Sequence, residues 1–319
     1  MYNGVKEKIN LLFITKDWSQ GLERNTYYLE EELKNLTNLT VSDKDGDLCS
    51  IVKSLATQPD FILLNDIRPS RSPSITGISQ CNIPIGMIMH DLHYKKELRK
   101  QFIKENNIQY LFTHYRDMFI KWYPEFHNRM IWFPHYVNTN LFKDYQLEKE
   151  IDLLMMGCTY PNIYPLRDKI YQTFKADKRF LLHEHPGYNH SSYSDKKFLV
   201  GERYAKELNR AKIFFTCDSI YRYPIMKYYE VLASNTLLLA PHSPELADLG
   251  FIPGTNFVSI TEDNFEKKAN YHLKHYKTLG KKIAEEGYKM VRKKHSVKKR
   301  ANQLHSAILS IVQERRRTE

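Results

Sequence analysis

The chain of 319 residues is poor in cysteine, and its cysteines are far apart. None of them forms a CxxC pair, which argues against a zinc ribbon and a disulfide framework. The four are Cys49, Cys81, Cys158 and Cys217. Long apolar runs are also lacking, because the N-terminal run between Lys8 and Lys16 is too short for a signal peptide or a membrane-spanning helix. We therefore expect a cytoplasmic protein.

The loop after this first apolar run lacks the GxGxxG pattern of dinucleotide-binding proteins. It reads TKDWSQGLER, and its one glycine, Gly21, can form a tight turn before a helix that starts near Leu22. A bound dinucleotide is not indicated. Gly21 stays a candidate for contact with another ligand.

Acidic residues are too few to balance the basic ones, which leaves a net charge of +11. Between Lys281 and Glu319, twelve Lys and Arg stand against four Glu, so +8 of the surplus lies in the last 39 residues. Apolar residues at helical spacing predict a packed C-terminal helix over residues 296–319 with a solvated basic face. They are Ala301, Leu304, Ile308 and Ile311. The alternative is that this face attracts nucleic acid or an anionic membrane surface.

What the chain has is a regular alternation of short apolar runs with helix-like segments, at 42% hydrophobic residues. The runs are KINLLFITK, DFILLND, PIGMIMHD, QYLFTH and RMIWFP, then IDLLMMG, RFLLHEH, KIFFTCD, TLLLAP and NFVSI. This pattern predicts an α/β protein with parallel sheets, helices on both faces, and ligands at the carboxyl ends of the strands. We predict two Rossmann-like domains, residues 1–145 and 151–295, facing each other across a cleft. A long helical tail is expected from Glu262.

Two loops that follow predicted strands carry candidate ligand contacts. HDLHYK places His90, Asp91 and His93 after a strand of the first domain, where an imidazole can hydrogen-bond a substrate. In the second domain, Gly157 begins a loop and Arg167 falls in the first turn of a helix that Pro165 opens. A cation at the start of a helix opposes the helix dipole. Its presence there is better explained if it helps to bind an anion. A structural histidine and a solvated arginine are the alternatives.

The stretch IYRYPIMKYYEVLASNTLLLAP places one carboxylate inside an apolar unit. We predict a helix that Pro224 opens and that Asn235 closes in the left-handed conformation. Tyr223, Lys227 and Glu230 then share one helix face. With Arg222 beside them, this helix start suits a diphosphate, and Glu230 suits a ribose diol. A surface salt bridge between Lys227 and Glu230 is the alternative.

The string KYYEVLASNTLLLAPHSPELADLGFIPGTNFVSI resembles the signature of group 1 glycosyltransferases of the GT-B fold, especially the spore-maturation-protein-like (CgeB-type) branch. IDLLMMGCTYPNIYPLR extends the likeness, and HSVKKRANQLHSAI does so weakly. The resemblance covers residues 151–310. It implies a retaining glycosyltransferase that uses a nucleoside diphosphate sugar, with a UDP-sugar as the first choice. The first domain would then be the acceptor side, and the second would bind the donor.

The resemblance also implies roles for individual residues. Glu230 would hold the donor ribose, and Arg167 and Lys227 would support the leaving diphosphate. His90 is the first-domain residue we expect to contact the transferred sugar or the acceptor. Two positions depart from the family pattern: Arg222 stands where the broader family has an earlier Glu, and Asn235 replaces the glycine that ends the helix.

We expect no catalytic metal and no cofactor beyond the donor sugar, because fixed cations and helix amides can stabilise the leaving group. DGD, at Asp45–Asp47, resembles a metal-binding DxD but is interpreted as a helix cap. His183, His185 and His190 could ligate a metal, yet their place after a strand favours contacts to base or ribose.

Three functions remain open at this point. The first is glycosyl transfer to a small or polymeric acceptor. The second is glycosylation of a modified base in DNA, with the basic tail as the docking surface. The third is a catalytically inactive nucleotide-sugar-binding protein, which Arg222 in place of the earlier Glu would allow.

Overall fold

The computed structural model describes residues 8–188, 192–194 and 196–318, which fall into two compact units. The first unit comprises the described residues up to Ser19, Thr26–Pro134 and those from Lys298 onwards. The second comprises Gln20–Asn25 and His135–Val297. Each unit is built around its own parallel sheet.

The strands follow the apolar runs of the sequence. They are β1 (Asn10–Ile14), β2 (Asn38–Ser42), β3 (Gly46–Asp47), β4 (Phe61–Asn65), β5 (Ile75–Thr76), β6 (Ile85–Met89), β7 (Tyr110–Thr113), β8 (Met130–Trp132), β9 (Ile151–Met156), β10 (Phe180–His183), β11 (Ala211–Phe215), β12 (Leu237–Ala240) and β13 (Val258–Ser259). The sheet of the first unit has the order β2-β1-β4-β6-β7-β8, and that of the second has the order β10-β9-β11-β12-β13. Each of these pairings is parallel, as expected for a Rossmann-like sheet.

Helices connect the strands, as right-handed crossovers of a parallel sheet require. They are α1 (Asn25–Leu36), α2 (Leu48–Lys53), α3 (Lys96–Glu105), α4 (Arg116–Trp122), α5 (Pro165–Phe174), α6 (Gly201–Arg210), α7 (Lys227–Ala233), α8 (Pro244–Asp248), α9 (Phe265–Lys274), α10 (Lys281–Lys294) and α11 (Val297–Thr318). The predicted α/β class with Rossmann-like parallel sheets is confirmed. Within the described part of the chain, no helix is long and apolar enough to cross a membrane.

The central strands are apolar on both sides because helices cover both faces of each sheet. All five residues of β4 and of β6 are buried. Gly86 in β6 is required by packing, since a Cβ there would lie 2.7 Å from the ring of Phe112 and 2.9 Å from that of Phe61. The alternation of apolar and polar residues typical of a half-exposed strand is therefore absent from these segments.

Helix α7 begins later than the sequence predicts. It starts at Lys227 rather than at Pro224, so Tyr223 precedes the helix and Glu230 lies in its first turn. The prediction that Tyr223, Lys227 and Glu230 share one helix face is therefore wrong for Tyr223, which lies outside the helix. The predicted end is confirmed: Asn235 has a φ of 52°. Its N–H donates to Leu232 O, and the next N–H donates to Val231 O, which is the Schellman arrangement.

Other boundaries also differ. Helix α1 begins at Asn25 rather than near Leu22, and β2 was not expected because it is an edge strand with mostly exposed residues. The tail from Glu262 is not one helix but α9, α10 and α11, with a π-helical turn at Tyr276–Gly280. The apolar stripe of α11 is buried, which confirms the packed C-terminal helix. Binding of nucleic acid or membrane by its basic face stays a prediction.

Candidate functional site

The candidate site of the second unit lies at the carboxyl ends of its parallel strands. Gly157 follows β9, His185 follows β10, and Thr216 follows β11. Loops from neighbouring strands meet at this edge, which is where open α/β sheets bind ligands. The sequence-predicted residues Gly157, Arg167, His185, Lys227 and Glu230 are close to one another here.

Arg167 is a buried cation that has no ion pair with any described carboxylate. Its side chain is 3% exposed and lies in the first turn of α5, as the sequence predicts. Nη1 donates to Cys158 O at 3.3 Å, and Nη2 donates to Thr216 Oγ1 at 3.0 Å. The guanidinium also lies 4.2 Å from the ring centroid of Tyr164. These neutral partners fix its position and leave its charge for an anion.

Lys227 extends toward the same point from the start of α7. A Cβ on residue 157 would lie 3.5 Å from Nη1 of Arg167 and 3.7 Å from Nζ of Lys227. Gly157 has a φ of 116°, so any other residue there would be strained, and its side chain would fill the space beside both cations. The sequence thus keeps a space open next to two positive charges.

Burial lowers the pKa of Lys227 from 10.5 to about 8. The negative charge of Glu230 opposes that shift, and the positive charge of Arg167 adds to it. The amine therefore sits where its positive charge is poorly compensated by the protein. An anion between the two cations would relieve this cost.

Glu230 is 7% exposed and is held by a residue that the sequence analysis missed. The hydroxyl of Tyr204, in α6, donates to Glu230 Oε2 at 2.9 Å. No described residue hydrogen-bonds the other carboxylate oxygen, Oε1. Burial raises the pKa of Glu230, while Lys227 and the Tyr204 hydrogen bond lower it. The carboxylate is thus oriented, with one oxygen available to a ligand hydroxyl.

His185 faces the same two cations. Burial lowers its pKa, and the charges of Lys227 and Arg167 lower it further. Its Nδ1 accepts the N–H of Gly187 at 3.0 Å, so the neutral ring carries its proton on Nε2 and can donate to an anion. His183 instead contacts Glu207, with Nε2 at 2.8 Å from Oε1. His190 lies outside the described residues.

The remaining donor-side candidates lie around this cluster. Arg222 is in the loop before α7, has a φ of 57° and is 71% exposed in its side chain. Tyr223 is buried and donates its N–H to Asp218 O. Gly21 lies in a segment grouped with the second unit, and its carbonyl accepts from Arg24 Nε at 3.2 Å. Gly21 lies in the bend before α1 and does not adopt the left-handed conformation.

In the first unit, His90 follows β6 and belongs to a buried polar network. Its Nε2 lies 2.7 Å from Asn65 Oδ1, and Asn65 Nδ2 donates to Thr15 Oγ1 at 2.9 Å. The amide is therefore oriented with its oxygen toward the imidazole, so His90 Nε2 is the donor. The ring also packs edge-on against His114 at 4.9 Å.

Asp91, the neighbour of His90 in the sequence, belongs to an ion pair. It pairs with Arg68 at 2.8 Å. Burial acts to raise the pKa of Asp91, but the charges of Arg68 and Arg71 lower it overall. His93 is exposed, and partial burial of its ring lowers its pKa despite the charge of Asp91.

The acidic DGD motif is a helix cap, as predicted. Asp47 Oδ1 accepts from the backbone N–H of Ser50 at 2.8 Å and from its hydroxyl at 2.9 Å. Across the described residues, no group of three or more His, Cys, Asp or Glu side chains is arranged to hold a metal ion.

Residues 161–306 match the family model described as glycosyl transferase-like. This segment runs from the loop before α5 to the first half of α11 and contains Arg167, Lys227 and Glu230. No curated protein matches the sequence at a significant level.

Solved structures resemble the chain over almost its whole length. HepE from Anabaena in complex with UDP has a TM-score of 0.64 at 9% identity, covering 95% of this chain and 100% of that chain. Sucrose-phosphate synthase from Thermosynechococcus elongatus has a TM-score of 0.61 at 12% identity, covering 96% and 99%. A glycosyltransferase from Rickettsia africae has a TM-score of 0.56 at 11% identity, covering 95% and 99%. The predicted GT-B fold is thereby confirmed, and residues 161–306 within it are similar to glycosyl transferases.

Proposed function

We propose that the protein is a glycosyltransferase that moves a sugar from a nucleoside diphosphate sugar, with UDP as the nucleotide, to an acceptor hydroxyl with retention of configuration and without a metal ion. The observation that carries the proposal is the buried, unpaired guanidinium of Arg167 next to Lys227 and the open space at Gly157. Two fixed cations beside a residue without a side chain suit a diphosphate.

The reaction breaks the bond from the anomeric carbon to the diphosphate oxygen, and the electron pair leaves with the diphosphate. Arg167 and Lys227 are placed to stabilise that developing charge, and His185 Nε2 can donate a further hydrogen bond. Glu230 Oε1 accepts from a ribose hydroxyl and so fixes the nucleotide relative to the cations. The acceptor oxygen forms the new bond to the anomeric carbon on the face from which the diphosphate leaves, which retains the configuration, and its proton passes to an oxygen of the leaving diphosphate.

Several finer points belong to the proposal. UDP is the first choice because the similar HepE structures were solved with UDP and with UDP-glucose. Retention and membership of the spore-maturation-protein-like branch rest on the sequence resemblance. We place the reaction in the cytoplasm because the four cysteines are few and far apart, as is usual for proteins of a reducing compartment.

A binding experiment tests the donor class. Thermal unfolding with UDP, GDP and ADP should show the largest stabilisation with UDP, because a ligand at 100 times its dissociation constant stabilises by about 2.7 kcal/mol. Nuclear magnetic resonance can then follow the sugar that the protein releases from a UDP-sugar. The first anomer to appear should have the same configuration as the donor. If no nucleoside diphosphate shifts the unfolding temperature, the proposal fails; release of the opposite anomer rejects retention alone.

Glu230→Ala should weaken UDP binding by roughly 1–3 kcal/mol, the range of a charge-assisted hydrogen bond. Calorimetry with UDP measures this, and Glu202→Ala, on the exposed face of α6, is the matched control. The unfolding temperature of the free variant must be measured as well, because alanine leaves the buried Tyr204 hydroxyl without its acceptor. An unchanged UDP affinity would remove Glu230 from the ribose site.

Chelation should leave activity nearly unchanged. Arg167 and Lys227 supply the positive charge that a metal ion supplies in other transferases. Donor turnover in excess EDTA is therefore expected within about twofold of the untreated rate, a small change on the scale of one catalytic hydrogen bond. Complete loss of turnover that Mn²⁺ restores would contradict this.

A further inference from the structure

A groove of about 470 Å³ opens at the carboxyl ends of β11, β12 and β13 in the second unit. Its walls combine apolar side chains with a small number of polar ones, a lining typical of ligand pockets. They include Leu166, Asp218, Arg222, His242, Ile260 and Glu262. The proposed reaction uses none of these polar groups.

Asp218 is the unusual member of this lining. Its side chain is buried, with the residue 6% exposed, and its Oδ2 has no hydrogen-bond partner among the described residues. The nearest cation is Arg222, whose Nη1 is 3.7 Å from Oδ2 and whose side chain is mostly exposed. A carboxylate oxygen left in this state is costly, since burial of a charge is compensated only by hydrogen bonds or close pairing.

The backbone holds Asp218 firmly in this position. Its carbonyl accepts the N–H of Tyr223 at 2.8 Å, which closes the loop between β11 and α7. Ser219 and Arg222, in the same loop, have φ values of 60° and 57°. Burial raises the pKa of Asp218 to about 6, against the opposing charge of Arg222. A buried carboxylate oxygen that has one cation at 3.7 Å but no hydrogen bond, and is fixed at the wall of a groove, can be completed by a hydrogen bond from a ligand.

The groove adjoins Arg167, one of the two cations proposed to hold the diphosphate. Thr216, which accepts from Arg167 Nη2, comes two residues before Asp218. Leu166, a groove residue, directly precedes Arg167 in α5. The positive charge of Arg167 also acts on the Asp218 carboxyl. A sugar joined directly to a diphosphate at Arg167 therefore reaches the groove.

We propose that Asp218 is a specificity-determining residue whose Oδ2 accepts a hydrogen bond from a hydroxyl of the transferred sugar, bound in this groove. The inference rests on the proposed function, because the diphosphate at Arg167 and Lys227 places the sugar. Neutral hydroxyls suit the site because Arg222 already balances the carboxylate charge, and the apolar wall formed by Leu166 and Ile260 suits the face of a sugar ring.

The test compares a nucleotide with its sugars. Calorimetry measures the dissociation constants of UDP, UDP-glucose, UDP-galactose and UDP-N-acetylglucosamine for the wild type, Asp218→Ala and Asp218→Asn. For the UDP-sugar with the greatest affinity relative to UDP, Asp218→Ala should lower that relative affinity about tenfold while UDP affinity stays within about twofold, because one hydrogen bond to a charged group is lost. Asp218→Asn, which keeps an acceptor oxygen, should lose less.

Two controls separate binding from stability. Glu266→Gln changes an exposed carboxylate in the first turn of α9, outside the lining of the groove, and should leave all four constants unchanged. The unfolding temperature of Asp218→Asn should equal or exceed that of the wild type, since removing a buried, poorly paired charge is not destabilising. A purely structural role predicts the opposite.

The outcomes distinguish the two proposals. If the wild type binds neither UDP nor any of the three UDP-sugars, the proposed function fails and this inference fails with it. If UDP binds as expected but Asp218→Ala leaves every affinity relative to UDP unchanged, only the role of Asp218 is rejected. A loss of affinity for UDP itself rejects it too, because Asp218 would then act on the nucleotide.

Discussion

Lys227→Ala is expected to lower sugar transfer by about 10²–10³-fold, the scale of losing one preorganised group that stabilises an oxyanion. It should also weaken UDP binding, because the amine acts on the diphosphate before and after the bond breaks. Lys169→Ala is the matched control, since Lys169 is an exposed lysine on the same helix as Arg167. Steady-state kinetics and calorimetry with UDP measure the two effects. Transfer and UDP affinity both equal to the wild type would exclude Lys227 from the diphosphate site.

The same lysine predicts a pH dependence. Because burial lowers its pKa to about 8, Lys227 in the free enzyme is charged below that pH and loses its proton above it. UDP affinity should therefore fall about twofold between about pH 7 and 8 and then more steeply, approaching a tenfold loss for each further pH unit. Lys227→Ala should show no such fall. A wild-type affinity that stays constant to pH 10 would contradict the assignment.

The sequence predicted the sheets well because their strands are buried on both faces. The five apolar runs of the second unit all form strands. Short apolar runs between helix-like segments are typical of buried parallel strands. Asn235 was also predictable, because ending a helix in the left-handed conformation is a local property of the backbone. β2 was not predicted, since an edge strand with exposed side chains lacks that signal.

The candidate site was predicted only where a residue has a local signal in the sequence. Arg167 could be found because its place in the first turn of α5 is a local anomaly. Tyr204 and Asp218 could not be found in this way. Tyr204 matters because of a partner far away in the sequence, and Asp218 matters because it is buried without a hydrogen bond to one carboxylate oxygen. Tyr204 lies 26 residues from Glu230, and the sequence of α6 contains no pattern that predicts this contact. Burial of Asp218 depends on the loop between β11 and α7, whose backbone conformation the sequence did not reveal.

His90→Ala is expected to reduce sugar transfer by about 10²-fold or more, as for the loss of a positioned acid–base or hydrogen-bonding side chain. Affinity for free UDP should remain within about twofold of the wild type. His90 belongs to the first unit, whereas Arg167 and Lys227, proposed to hold the diphosphate, belong to the second. His127→Ala, at an exposed histidine of the first unit, is the control.

The result for His90 is informative only beside that for Lys227. Asn65 Oδ1 accepts from His90 Nε2, so alanine at position 90 also leaves that amide oxygen without its partner, and the unfolding temperature must be measured alongside the rate. A variant that stays folded, binds UDP normally and transfers slowly supports a role of His90 toward sugar or acceptor. If His90→Ala instead abolished UDP binding while Lys227→Ala left it unchanged, the donor would belong to the first unit. The roles proposed for Arg167, Lys227 and Glu230 would then all be wrong.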